Sequence, residues 1–186
     1  QSRSSAASDV YKRQIVTDGG SGYTANGTVS LSGGGGSSGA ANAQANSSGR
    51  IAAVNITNNG SSYETNPTVT ISAPTAQSFN GLTAVSNTND TIALAGAGTL
   101  AVDDKVTYAN AAGNTGIIGL TDGTQYFVSF ANATHVALAA TQSGANIDLT
   151  ATVSETGHTL TGETATASAV VGGATNKGVA HAGWVR

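Results

Sequence analysis

Along the whole chain, Val, Ile, Leu and Tyr alternate with Thr, Ser and Asn over short runs. Gly, Asn, Asp and Ser interrupt those runs at intervals of about 8 to 12 residues. A period of two is that of a strand with one buried face, because successive side chains on a strand point to opposite sides. No window repeats apolar side chains at i, i+3, i+4 and i+7. The Ala-rich piece 39–46 is short, broken by Asn and without a larger apolar stripe, so essentially no helix is expected. The predicted class is all-β: tandem small β-repeat units followed by a β-sandwich or barrel-like module.

The repeat appears when the chain is laid on itself at an offset of 40. Thr17, Gly20, Ser21, Tyr23, Asn26, Thr28, Val29 and Ser32 recur as Thr57, Gly60, Ser61, Tyr63, Asn66, Thr68, Val69 and Ser72, and Leu31 corresponds to Ile71. Each unit predicts a strand, a Gly-Ser-x-Tyr turn, a short Asn-containing link and a Thr-Val-x-Ile/Leu-Ser strand. Gly20 and Gly60 are suited to positive φ in the turn, and Tyr23 and Tyr63 offer a ring over a small core with a hydroxyl that reaches backbone. Val29 with Leu31, and Val69 with Ile71, share one strand face. Ile51, Val54 and Ile56 supply a further β-rich run whose parity slips after Ile51, as at a bulge or bend. The two-copy repeat is expected over 15–74, with residues 33–38 as a flexible loop between the copies.

Residues 75–81 predict a linker, since the repeat stops, Pro74 blocks continuation of a ladder and a new pattern begins at Leu82. The second module, 82–162, has its best hairpin at 124–130 against 134–139, turned at 131–133. Tyr126, Val128 and Phe130 lie on one face of the first strand, with Val136 and Leu138 on one face of the second, and all five are predicted core. Further strands are expected at 82–86, 91–94, 105–108, 147–150 and 158–161. So many short strands in so short a stretch suggest a sandwich or barrel. Residues 163–186 alternate again and predict the start of a further β segment, truncated near Trp184.

Composition narrows the function classes. The 186 residues carry 9% charged side chains and a formal net charge of −3, without the basic face that phosphate backbones require and without an apolar run long enough to span a bilayer as a helix. Neither nucleic acid nor membrane is an expected partner. With no Cys, disulfides, thiolate metal sites and Cys nucleophiles are all excluded. The apolar fraction of 39% is inflated by alanine, so the core is expected to be thin and divided among small units.

Chemistry-bearing residues are sparse. His135, His158 and His181 stand in unrelated contexts and are expected at the surface or at strand edges. Asp103 and Asp104, with Asp90 or Asp122, could offer oxygens to Ca²⁺, but the spacing lacks the pattern that wraps one ion, and solvated turn carboxylates are the preferred expectation. The four glycines 33–36 have no following Gly-Lys-Ser/Thr and no helix to hold phosphate. Scattered acids show no glycosidase pairing, and no Gly-x-Ser-x-Gly elbow occurs. Asn-x-Ser/Thr sequons at Asn26, Asn46, Asn55, Asn59, Asn89 and Asn132 are expected by chance in so Asn- and Thr-rich a chain. No catalytic residue, cofactor or metal ligand is assigned.

Residues 4–14, Ser-Ser-Ala-Ala-Ser-Asp-Val-Tyr-Lys-Arg-Gln, resemble the in-frame translation of a transposase-type sequencing adapter, so 1–14 is expected to be a scar and the chain a metagenomic fragment truncated at both ends. The units Gly19-Gly-Ser-Gly-Tyr to Thr-Val-Ser-Leu-Ser and Asn59-Gly-Ser-Ser-Tyr to Pro-Thr-Val-Thr-Ile-Ser resemble a repeat of tailed-bacteriophage virion structural proteins, with Gly27 where the pattern prefers Pro. Asp103-Asp-Lys-Val-Thr-Tyr, Gly119-Leu-Thr-Asp-Gly-Thr-Gln-Tyr-Phe-Val and His158-Thr-Leu-Thr-Gly are similar to a β-module of phage virion proteins and large bacterial surface proteins. The resemblance implies a non-enzymatic virion component: a tail fibre, a neck or tail part, or a capsid decoration. It would assemble as a homo-oligomer with other virion proteins and could meet a host-surface glycan. A bacterial adhesin or glycan-binding module is the alternative.

Overall fold

The computed structural model describes residues 14–151 and 155–169. The adapter-like residues 1–13, and His181 and Trp184 at the other end, lie outside them. The chain is all-β, with thirteen strands: β1 (Gln14–Asp18), β2 (Val29–Ser32), β3 (Ser37–Ala45), β4 (Ile51–Ser61), β5 (Thr68–Ile71), β6 (Gln77–Phe79), β7 (Val85–Ser86), β8 (Thr91–Ala93), β9 (Lys105–Asn110), β10 (Gln125–Ala131), β11 (His135–Ala139), β12 (His158–Gly162) and β13 (Thr166–Ala169). One 3-10 turn, Ala97–Thr99, is the sole helical element among the described residues.

The two repeat copies interlock instead of following one another. β2 and β5 pair antiparallel with Val29 opposite Ile71, Ser30 opposite Thr70 and Leu31 opposite Val69. Since Ser30 and Thr70 are equivalent positions of the repeat, a pseudo-two-fold axis passes through that pair. The same axis relates two further pairings. β4 pairs with β3 and skips Thr57, while β1 pairs with β13 and skips Thr17, so both copies carry the same bulge at the same repeat position. β13 therefore stands to β1 as β3 stands to β4.

The turn glycines obey this symmetry. Gly20 has φ +60 and Gly60 φ +65; a Cβ on either would press into the adjoining strand, meeting Ala165 N at 2.6 Å in one copy and Gly39 N at 2.6 Å in the other. β1 lies against β4, β5 against β13 and β2 against β3, which closes six strands around a small core of Tyr23, Ala41, Ala43, Ile51, Val54, Ile71 and Ala165.

Two expected boundaries change. Residues 77–79 are not linker: they form β6, the edge strand beside β12. Residues 163–169 do not begin a further unit, because β13 turns back and completes the first one. The second module is thus inserted between β5 and β13. The expected loop 33–38 also shortens, since Ser37 already opens β3, and Gln14, assigned to the scar, opens β1. The parity slip after Ile51 is a bulge: Ile51 faces Ala45 and Ala53 faces Gln44.

The inserted module is a curled seven-stranded antiparallel half-barrel, in the order β6-β12-β9-β10-β11-β8-β7. Its core holds Tyr126, Val128, Val136 and Leu138, with Ile92, Val106, Tyr108, Leu149 and Leu160. Phe130 is the exception among the five predicted core residues. The register between β10 and β11 shifts at Ser129, so Phe130 turns outward to 43% exposure and Ala131 packs against the core in its place. The stretch 147–150 forms an isolated bridge from Thr150 to Ile118, not a strand. Replacing Leu138 by Ala is expected to lower unfolding free energy by about 3 kcal/mol. Replacing Phe130 by Ala should change it by no more than about 0.5 kcal/mol, as urea denaturation of both variants would show.

Candidate functional site

The polar residues singled out from sequence are mostly tied into the scaffold. Asp104 is buried, not solvated: it pairs with Arg50 and accepts Ala101 N at 2.8 Å. Asp103 accepts Ser143 N at 2.7 Å, Asp90 accepts Leu149 N at 3.1 Å, and Asp122 accepts Asn110 N at 2.7 Å. These four carboxylates do not converge, and no group of three or more His, Cys, Asp or Glu side chains is placed to hold a metal ion among the described residues. His158, expected at the surface, is fully buried. Its Nδ1 lies 2.8 Å from Tyr108 Oη, its ring centroid is 5.7 Å from that of Phe79, and its Nε2 has no partner among the described residues.

The repeat residues divide into two environments. Tyr23 is buried; its hydroxyl donates to Ser72 O at 2.9 Å and accepts Ala165 N at 3.0 Å. Val29 and Ile71 complete that half of the core. Tyr63 is half-buried over Gly34, Gly36 and Gly39, with Leu31 beside it; Leu31 and Val69 are half-buried too and stand outside the core cluster. The first turn also joins the two units. Ser21, fully enclosed, donates its amide to Glu163 O at 2.9 Å and its hydroxyl to Lys105 O at 3.3 Å, and it accepts Glu163 N at 2.9 Å. Gly22 N donates to Thr99 O at 3.1 Å. Ser61, the repeat equivalent of Ser21, is exposed.

Burial raises the Tyr23 hydroxyl above its usual 10.0, against the opposing effect of the Ala165 amide. It raises that of Tyr108 as well, with the Ile117 amide opposing and Asp122 and Tyr126 adding to the rise. Above 10.0 the unfolded chain loses these protons first, so it binds fewer protons than the folded chain and stability falls as pH rises. The urea midpoint is expected to fall once the pH rises above about 10, with Tyr23→Phe flattening part of that drop.

An open concavity lies over the β10–β11 hairpin. Asn132 Oδ1 organises the turn by accepting Thr134 N at 2.9 Å and His135 N at 2.8 Å, and His135 Nδ1 is 2.8 Å from Thr134 Oγ1. Across from it, Ser86 Oγ accepts Asn89 N at 3.2 Å in the β7–β8 turn. Ser86, Asn89 and Thr91 form one wall, Phe130, Asn132 and His135 another, and Asn146 closes the end, around a cleft of about 490 Å³. That volume falls in the range of small-molecule sites, ~300–1,000 Å³. No carboxylate, lysine or arginine lines it among the described residues. Sequence reasoning missed the cleft because Phe130 carries a core pattern and the asparagines carry a turn pattern; the bulge that brings them together has no signature in the residues around Ser129.

No family model, curated protein or solved structure matches the chain. No helix among the described residues is long and apolar enough to cross a membrane.

Proposed function

We propose that this chain is a non-enzymatic structural protein of a tailed-phage virion, a part of a tail fibre, neck, tail or capsid decoration that works by β-rich assembly and surface display. It would be carried in the virion, next to other virion proteins and in more than one copy. The observation that supports this best is the use made of the virion-like repeat: both Gly-Ser-x-Tyr turns and both Thr-Val-x-Ile/Leu-Ser strands build one interlocked scaffold. The carboxylates that could have done chemistry are spent holding it together.

A second reading, a bacterial cell-surface adhesin or glycan-binding module, is favoured by the uncharged cleft beside Phe130. Long-read sequencing through both ends of the gene separates the two. Portal, sheath or terminase genes around the reading frame support the virion component. A secretion signal and a surface anchor in the same frame replace it with the adhesin.

A further inference from the structure

We propose that the cleft between the β7–β8 turn and the β10–β11 hairpin is a binding site for neutral saccharides, with Phe130 as its stacking platform. The inference rests on and deepens the glycan-binding reading given above by naming the site and the sugar class, while gene context tests the place of display separately. An aromatic side chain that alternates in phase with core residues such as Tyr126 and Val128 is normally buried. Here the bulge at Ser129 turns the ring to solvent and leaves the Ser129 hydroxyl buried without a partner among the described residues. A strand that gives up both a buried ring and a satisfied hydroxyl at one position has the form of a site where local stability is exchanged for binding.

The lining determines the ligand class. The electron-rich face of a phenyl ring attracts the weakly positive C–H bonds on one face of a pyranose. The side chains of Asn89, Asn132 and Asn146 each carry two N–H donors and a carbonyl, a match for vicinal hydroxyls, which both donate and accept. In Asn132 the carbonyl is already engaged by the turn, so its amide N–H groups are the part left for a ligand. Among the described residues the lining holds no arginine or lysine to pair with an anionic sugar, and no carboxylate pair of the kind that cleaves a glycosidic bond.

The test is a titration of the ¹⁵N-labelled chain with lactose, maltotriose and triacetylchitotriose, and with a heparin tetrasaccharide as the anionic probe, followed by amide shifts. At least one neutral sugar, at up to tens of millimolar, is expected to move the backbone amides of Phe130, Asn132 and His135 and the side-chain amides of Asn89 and Asn146. Phe130→Ala should weaken that binding by about tenfold or more while the remaining amide spectrum is preserved. Asn89→Ala with Asn146→Ala, both exposed and outside the strands, serves as a second variant and should weaken it as well. The site is overturned if none of the neutral sugars moves these amides, if the shifts map elsewhere, if both variants bind as tightly as the parent, or if the heparin fragment binds the cleft more tightly than every neutral sugar.

Discussion

Replacing Tyr23 by Phe is expected to cost about 2–3 kcal/mol of unfolding free energy, whereas the same change at its repeat equivalent, Tyr63, should cost less than about 0.5 kcal/mol. The two tyrosines occupy equivalent positions of the repeat, but their surroundings differ. Around Tyr23 the hydroxyl joins Ser72 O to Ala165 N, two backbone groups from strands far apart in the chain. Its loss leaves a buried N–H with no acceptor, which is more costly than the bond itself is stabilising. The Tyr63 hydroxyl makes no hydrogen bond among the described residues, and its ring covers glycines at the open end of the unit. Urea denaturation of the two single variants decides the matter. Equal costs would show that the pseudo-two-fold unit is energetically symmetric and that docking of β13 and the inserted module adds nothing at Tyr23.

Replacing Arg50 by Ala is expected to cost about 2–3 kcal/mol. Asp104 retains 6% side-chain exposure and Arg50 40%, so the carboxylate is the desolvated partner and the guanidinium keeps contact with water. Removing the cation strands a buried negative charge that only the Ala101 amide still answers. A fully buried pair would lose more, and the exposed flank of Arg50 brings the figure down by solvent screening. The guanidinium also donates to Gly20 O at 2.7 Å, so one side chain fastens the first turn of the repeat to the inserted module. Asp104→Ala should be destabilising as well, and the double variant should cost less than the sum of the singles, because the second change removes the charge the first one strands. Additive costs in that cycle would mean that the two groups act independently and that the Arg50–Asp104 pair adds nothing to the junction bonds of Ser21 and Gly22.

Both expectations follow from the way the chain is threaded. A module inserted between β5 and β13 makes the first unit depend on a strand that arrives after the whole second module has been synthesised. The last β-pair, β1 with β13, closes the longest loop in the molecule, the kind of contact that forms late and slowly in folding. The junction bonds of Ser21, Gly22 and Arg50 hold the insertion through Thr99, Asp104 and Lys105, and through Glu163 where the chain re-enters the repeat unit.

Much of this architecture was legible in the residues. Alternation placed β2, β5 and β8 to β12 close to where they stand, the offset of 40 found both turns, and the slip after Ile51 found its bulge. The expected hairpin turned where Asn132 turns it. What was missed shares one cause: strand partners are chosen by non-local contacts, and short strands of Ala, Ser and Thr carry no side-chain label that says which edge they will join. β6 fell in a stretch that Pro74 marked as a break, and β13 looked like the start of something new when its backbone in fact matches β3.

The sequence by itself determined the class, the repeat, the need for glycine at positions 20 and 60, and the faces of most strands, because these depend on side-chain period and local backbone freedom. The tertiary structure alone decided that the repeats pair about a two-fold axis, that the second module is an insertion, that Tyr23 is buried where Tyr63 is half-open, and that Phe130 faces a cleft. A one-residue bulge at Ser129 inverts every side chain after it, and a strand from the far end of the chain turns one of two identical turns into an interface. Both effects arise from pairing across distance, which the period of a single strand does not encode.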